Sequence, residues 1–118
     1  MLSKHFETRL SAGRVAGVPK TFDLVSDDCR IVGDAKYFTL VRGERLPPAK
    51  FSVIAEYVWL LERTDASNIF LVFGNDKRVP ALWLEKYGPL IRNLTFFFLS
   101  DDGQLELLAG EPPRKGVS

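Results

Sequence analysis

The sequence predicts a single α/β domain in which a mixed β-sheet is flanked by helices. A chain of 118 residues supplies one core, because domains commonly contain about 100–150 residues. Hydrophobic residues make up 46% and charged residues 26%, the balance of an ordinary globular protein. Short apolar runs typical of strands alternate along the chain with longer segments of helical periodicity, which indicates strands joined by helical crossovers.

The first predicted element is a short helix over Leu2–Leu10. Leu2, Phe6 and Leu10 follow one another at four-residue steps, so their side chains share one helix face. Gly13 and Gly17 come next and are expected to end the helix.

A β-hairpin is predicted to follow. Residues 21–26, Thr-Phe-Asp-Leu-Val-Ser, alternate between polar and apolar side chains, and Asp27-Asp28 is a turn signal. The second strand, Ile31–Val41, is rich in β-branched and aromatic residues but contains Asp34 and Lys36. Charges inside such a strand are the most unusual local feature of the sequence.

The remaining elements alternate helix and strand. The prolines at 47 and 48 suit the opening of a helix over Lys50–Arg63, whose circumference is mostly apolar. The predicted elements that follow are a buried strand Ile69–Phe73, a helix Pro80–Tyr87, a buried strand Leu94–Leu99 and a weaker strand Gln104–Leu108. Trp59 and Trp83 lie on helix stripes and are expected in the core. The predicted order is α-β-β-α-β-α-β-β, with residues 1–109 folded and residues 110–118 a disordered tail.

The charged pair predicts a metal site. Asp34 and Lys36 project from the same strand face about 7 Å apart, and burying them costs several kcal/mol unless they pair or hold a ligand. A hairpin whose midpoint lies between residues 28 and 29 brings Asp23 opposite Asp34. Two carboxylates form an oxygen site suited to Mg²⁺ or Mn²⁺, and a neighbouring lysine is able to orient or deprotonate water.

Asp23, ten residues of hairpin and then Asp34-Ala35-Lys36 resemble the motif of the PD-(D/E)XK nuclease superfamily, with Phe22 where the motif has proline. The order helix, hairpin, helix, strand over roughly residues 1–100 is also similar to that superfamily. The resemblance implies a restriction-endonuclease-like fold and Mg²⁺-dependent hydrolysis of phosphodiester bonds in DNA. It further implies that Asp23 and Asp34 bind the metal and that Lys36 acts on the attacking water. Glu7, on the first helix, matches the glutamate that many members direct at the metal centre.

The expected partner is DNA. Lys50, Lys77 and Arg78 are candidate phosphate contacts, and Arg42 and Arg45 would extend them into a basic rim. A chain this small has little surface for sequence recognition, so cleavage guided by DNA structure, a homodimer or a specificity-providing protein partner is expected.

Composition excludes several other classes of function. The net charge of +1 gives no bulk attraction for a polyanion, and a single cysteine, Cys29, with a single histidine, His5, makes neither a disulfide nor a zinc set. His5 and Cys29 likewise give no hydrolase triad. No stretch reaches the ~18 apolar residues of a membrane span, and the N-terminus has no signal-peptide core, which favours a cytoplasmic protein.

Other interpretations of the same residues stay open. Asp34 and Lys36 would be an exposed pair if their strand were at the sheet edge, or a simple ion pair in an unrelated α/β interaction module. The domain would also keep its fold as an inactive nuclease relative that binds nucleic acid or protein. Glu7 and Lys50 would be solvated surface charges, and residues 74–78 a plain turn. Glu56 either faces the cleft or lies on the surface.

Overall fold

The computed structural model describes residues 9–15, 17–38, 48–91 and 93–110. These residues form an α/β fold with a six-stranded mixed sheet in which the strands lie in sequence order. Its strands are β1 (Leu10–Arg14), β2 (Thr21–Ser26), β3 (Ile31–Lys36), β4 (Asn68–Phe73), β5 (Leu94–Leu99) and β6 (Leu105–Ala109). The described helices are α1 (Pro48–Glu62) and α2 (Arg78–Tyr87), the latter followed by a 3₁₀ turn at Gly88–Leu90.

The type of strand pairing changes twice across the sheet. β1, β2 and β3 pair antiparallel, β3, β4 and β5 pair parallel, and β6 returns antiparallel to β5. The two parallel connections run through α1 and α2, as parallel neighbours require. Both helices contribute to one apolar cluster on the same sheet face, together with side chains from β2 to β5.

The opposite sheet face carries a second, smaller apolar cluster. Phe70, Val72 and Phe97 are its buried members, and partly buried side chains of β1, β2, β3 and β6 pack against them. β4 is therefore apolar on both faces, as its uninterrupted run of hydrophobic residues predicts, and it lies in the middle of the sheet.

The N-terminal prediction was wrong where the structure tests it. Leu10 begins strand β1 and does not end a helix, so the described chain reads β-β-β-α-β-α-β-β. Residues 2–8 of the predicted helix lie outside the described residues. The four-residue spacing was overridden because Leu10–Arg14 pairs with β2, where a Cβ on Gly13 would be 3.8 Å from that of Val25.

The other elements follow the prediction closely, with two corrections. β3 ends at Lys36 and not at Val41, because its partner β4 ends opposite it at Phe73; residues 39–47 lie outside the described residues. Trp59 is 56% exposed, whereas Trp83 is buried as predicted. The side of α1 that meets the sheet carries Ile54, Val58 and Leu61, and Trp59 lies about 100° around the helix from Val58.

None of the described helices has the length and apolar character needed to cross a membrane. The tail predicted as disordered lies outside the described residues, apart from Gly110.

Candidate functional site

The β2–β3 hairpin sets the geometry of the site. Its turn is held by Ser26, whose hydroxyl donates to Asp28 Oδ1 at 2.7 Å and accepts from the Ile31 N–H at 3.0 Å. The strands pair Leu24 with Gly33 and Val25 with Val32, so the next pair in the same register is Asp23 with Asp34. This is the register that the sequence predicts.

Asp23 and Asp34 are joined by crossed hydrogen bonds. The backbone N–H of Asp23 donates to Asp34 Oδ1 at 2.8 Å, and the backbone N–H of Ala35 donates to Asp23 Oδ2 at 3.2 Å. Each carboxylate therefore accepts from the backbone of the other strand. These bonds hold the two side chains beside each other. They lie just beyond the Leu24–Gly33 pair, where the backbone pairing of β2 with β3 ends.

A β-bulge in β2 accompanies this arrangement. Between the pairs Ser11–Val25 and Gly13–Phe22, β1 contains the single residue Ala12 whereas β2 contains Asp23 and Leu24. An extra residue of this kind re-aims the side chains around it. As a result Phe22 and Val25, three positions apart, both reach the cluster under the helices. The sequence alone gave no sign of the bulge.

Asp34 is a buried carboxylate. Its side chain is 2% exposed, and β3 lies between β2 and β4, so the interpretation as an exposed pair on an edge strand is wrong. Burial raises the pKa of Asp34 above its usual value, and the negative charge of Asp23 acts in the same direction. Hydrogen bonds from Lys36 and from the Asp23 backbone oppose this rise in pKa. The site thus holds a carboxyl group whose ionisation depends on its neighbours.

Lys36 is held between Asp34 and an aromatic ring. Its Nζ lies 2.6 Å from Asp34 Oδ2, and its side chain is only 12% exposed. The same nitrogen is 3.3 Å from the centroid of the Tyr57 ring, which α1 brings over the hairpin. Phe22 supports Tyr57 from β2 through an edge-to-face contact with centroids 6.4 Å apart. Such a cation–π contact is stronger where little water reaches the cation.

Tyr57 is the site residue that the sequence failed to single out. In the sequence it is only one of the residues that make the circumference of the Lys50–Arg63 helix mostly apolar. The one available signal was its phenol, which gives a polar edge to an otherwise apolar helix surface.

A second lysine approaches the same ring from the start of β2. Lys20 Nζ lies 4.9 Å from the Tyr57 centroid and 3.2 Å from Glu56 Oε1. The hydrogen bond that Lys20 donates to Glu56 is the main cause that raises the pKa of Lys20. The Glu56 side chain is 55% exposed and pairs with Lys20, so it lies on the surface at the rim of the site.

The candidate phosphate contacts lie on segments that follow β3 and β4 or lead into α1. Lys77 Nζ is 2.6 Å from Glu106, and an Arg78 guanidinium nitrogen is 2.9 Å from Asp76; both cations are at least half exposed. Lys50, in the first turn of α1, has its Nζ 4.8 Å from the centroid of Phe38. Arg42 and Arg45 lie outside the described residues.

The loop after β4 is hydrogen-bonded to the end of β3, the strand that carries Asp34 and Lys36. The Gly74 N–H donates to the Lys36 carbonyl at 2.9 Å, so residues 74–78 begin beside the end of β3. Lys77 and Arg78 therefore lie near the same end of the parallel strands as Lys36.

The two carboxylates fit part of a Mg²⁺ or Mn²⁺ ligand set. Both Asp34 oxygens already accept a hydrogen bond, from the Asp23 N–H and from Lys36, but each carboxylate oxygen has more than one lone-pair direction and so keeps acceptor capacity. Mg²⁺ commonly takes one or two carboxylates and completes its shell with water. Within residues 9–15, 17–38, 48–91 and 93–110, no group of three His, Cys, Asp or Glu side chains forms a metal cluster. Glu7, the third predicted acid, lies outside the described residues.

No protein-family model matches the chain, and no curated protein matches it significantly.

Proposed function

We propose that this chain is a metal-dependent nuclease of the PD-(D/E)XK type that hydrolyses phosphodiester bonds in DNA. The observation that supports this most strongly is the meeting of Asp23, Asp34 and Lys36 at one point of the β2–β3 hairpin, with Asp34 buried. A buried acid–amine pair is expensive to maintain for stability alone, since apolar residues of similar volume often serve as well. A restriction-endonuclease-like arrangement of the mixed sheet is part of the same proposal.

Asp23 and Asp34 are the residues that would hold Mg²⁺ or Mn²⁺. When bound there, the ion would supply positive charge to a phosphate oxygen and lower the pKa of water. Asp34 would also keep the Lys36 ammonium in place through the 2.6 Å contact. Lys36 would orient the attacking water and stabilise negative charge that develops on the phosphate. Its low exposure strengthens such an interaction, because water screens it little.

The basic residues near the carboxyl ends of β3 and β4 would contact DNA phosphates. Lys77 would exchange its half-exposed partner Glu106 for a phosphate oxygen, an exchange that costs little because exposed ion pairs contribute at most about 1 kcal/mol. Arg78 would contact phosphate while it keeps its bond to Asp76, whose side chain is only 11% exposed. Lys50 would add a third contact. We expect a homodimer or a protein partner to supply specificity, and we expect the enzyme to act in the cytoplasm.

A second candidate function is a nuclease-fold domain that binds nucleic acid or a protein without cleaving it. The closed contact between Asp34 and Lys36 favours this alternative, since the amine already neutralises the buried acid without an ion.

Cleavage and metal binding by the purified full chain distinguish the two. Linear, nicked and branched DNA is incubated with Mg²⁺, with Mn²⁺ and with EDTA, and metal binding is measured by calorimetry. We expect cleavage only with metal, and a loss of roughly 100-fold or more in Asp34→Asn and in Lys36→Gln. Asp27→Asn is the matched control, because it removes one carboxylate from the turn at the other end of the hairpin.

If no DNA is cleaved and no metal binds, the nuclease proposal is wrong. DNA binding with a steep salt dependence would then support the non-cleaving domain. The absence of both cleavage and DNA binding would leave Asp34 and Lys36 as an ion pair in an unrelated α/β interaction module.

A further inference from the structure

Two lysine ammonium groups lie against one aromatic ring at the candidate site. Lys36 Nζ is 3.3 Å and Lys20 Nζ is 4.9 Å from the centroid of Tyr57. The two nitrogens are therefore no farther apart than the sum of those distances. That limit exceeds the ~3.4 Å axial rise between neighbouring phosphates of one strand, so the two ammonium groups have room to face successive phosphates.

The two lysines differ in how tightly they are held. Lys36 is bound to a buried carboxylate and is 12% exposed, whereas Lys20 is 33% exposed and pairs with a Glu56 side chain that is 55% exposed. An exposed lysine–glutamate pair is weak, while a phosphate offers several charged oxygens to an ammonium. Lys20 is thus able to exchange Glu56 for another partner while it stays beside Tyr57. Lys36 is not able to do so, because it is bound to the buried Asp34.

We propose that Lys20 is a phosphate-binding residue of this site, which takes the phosphate next to the one that faces Lys36 on the same DNA strand. This inference rests on the proposed nuclease function and adds a subsite to it. Tyr57 sets the spacing of the two cations, and Glu56 holds Lys20 in position until the phosphate replaces it. The ligand chemistry is that of two successive phosphodiesters in one strand.

The partner exchange gives Lys20 and Glu56 opposite effects on DNA binding. Removing the Lys20 charge removes a phosphate contact and weakens binding. Removing the Glu56 charge frees Lys20 and takes away a negative charge near the DNA, so it strengthens binding. A salt bridge with a purely structural role would give the two substitutions effects of the same sign.

The test measures affinity of the full chain for a fluorescent DNA oligonucleotide in EDTA, where no cleavage interferes, over a range of salt concentrations. Lys20→Gln is expected to weaken binding roughly five-fold near 0.1 M salt. It should also lower the slope of log K against log salt by about 1. Lys20→Arg should retain both values, and Glu56→Gln should tighten binding roughly two-fold. The control is Arg30→Gln, which removes a cation that pairs with Asp28 at the other end of the hairpin and should change neither value.

Unchanged affinity and slope in Lys20→Gln would overturn the proposal, as would a loss of binding in Glu56→Gln equal to that in Lys20→Gln. Cleavage measured in parallel separates this result from the proposed function. If the parent protein cleaves DNA and Lys20→Gln binds DNA as the parent does, only the Lys20 subsite is refuted. If the parent protein does not cleave DNA but Lys20→Gln and Glu56→Gln change DNA binding as expected, cleavage is refuted and the Lys20 subsite is retained.

Discussion

Replacing Lys36 with methionine tests whether Asp34 and Lys36 stabilise each other as a buried pair. The substitution keeps the length of the side chain but leaves the Asp34 carboxylate, 2% exposed, without its ammonium partner. Breaking a buried pair in this way costs about 3–5 kcal/mol. That is a large part of the ~5–15 kcal/mol by which a domain of this kind is stable.

The expected change in melting temperature follows from the length of the chain. An unfolding entropy of about 2.1 cal/mol/K per residue gives roughly 0.25 kcal/mol/K for 118 residues. A loss of about 3–5 kcal/mol therefore lowers Tm by roughly 12–20 °C at pH 7. Calorimetry measures Tm, and guanidinium unfolding measures the free energy of unfolding. The double variant Asp34→Asn/Lys36→Met should recover most of the loss, because asparagine carries no charge and still accepts from the Asp23 N–H.

The loss should depend on pH with a definite sign. Burial raises the pKa of Asp34 in the folded state above the ordinary 3.8, so its contribution to stability is greatest below that value and is lost as pH rises through the folded pKa. Without the Lys36 ammonium the folded pKa rises further. The deficit of Lys36→Met relative to the parent is therefore largest at neutral pH and shrinks as pH falls through that raised pKa. A cost below about 1 kcal/mol at pH 7, or a deficit that grows on acidification, would refute the buried pair.

Two further substitutions test buried contacts of the fold. Gly33→Ala should destabilise the fold by about 1–3 kcal/mol in chemical unfolding, because a Cβ there would overlap the fully buried Phe70 ring, while Gly13→Ala should be nearly neutral. Equal costs for the two glycine variants would contradict the close approach of Phe70. Trp83→Phe should cost about 1–3 kcal/mol, because it removes the indole hydrogen bond to the Phe51 carbonyl at 3.3 Å and part of a buried ring system that packs on Phe96. An unchanged unfolding midpoint would contradict both contributions.

The sequence predicted the elements whose patterns are local. Strands β2 and β5 have the predicted bounds, and the starts of α1, β4 and α2 lie within two residues of the predicted ones. The predictions of these strands and helices were correct because their apolar residues recur with the period of a strand or a helix, and the face that this period defines packs against a core. The register of the hairpin was equally local, since the turn at Asp28 fixes which residue of β3 meets Asp23.

What the sequence did not reveal depends on contacts between distant segments. Strand β1 exists because β2 offers it a partner, and its short run has no strand pattern of its own. Trp59 is exposed because the position of the sheet selects one side of an almost wholly apolar helix. The approach of Tyr57 to Lys20 and Lys36 likewise depends on how α1 crosses the hairpin, which spacing along the chain does not encode.

The turn between β2 and β3 also bears on how the site forms during folding. Asp23 and Asp34 are eleven residues apart, so closing the loop between them costs little chain entropy. The ring of Tyr57 reaches the site only through the packing of α1 onto the sheet, and β4 covers the other edge of β3. The encounter of the carboxylates is thus short-range, whereas their removal from water is a property of the whole domain. Substitutions that loosen the distant core will hydrate Asp34 before they separate it from Asp23.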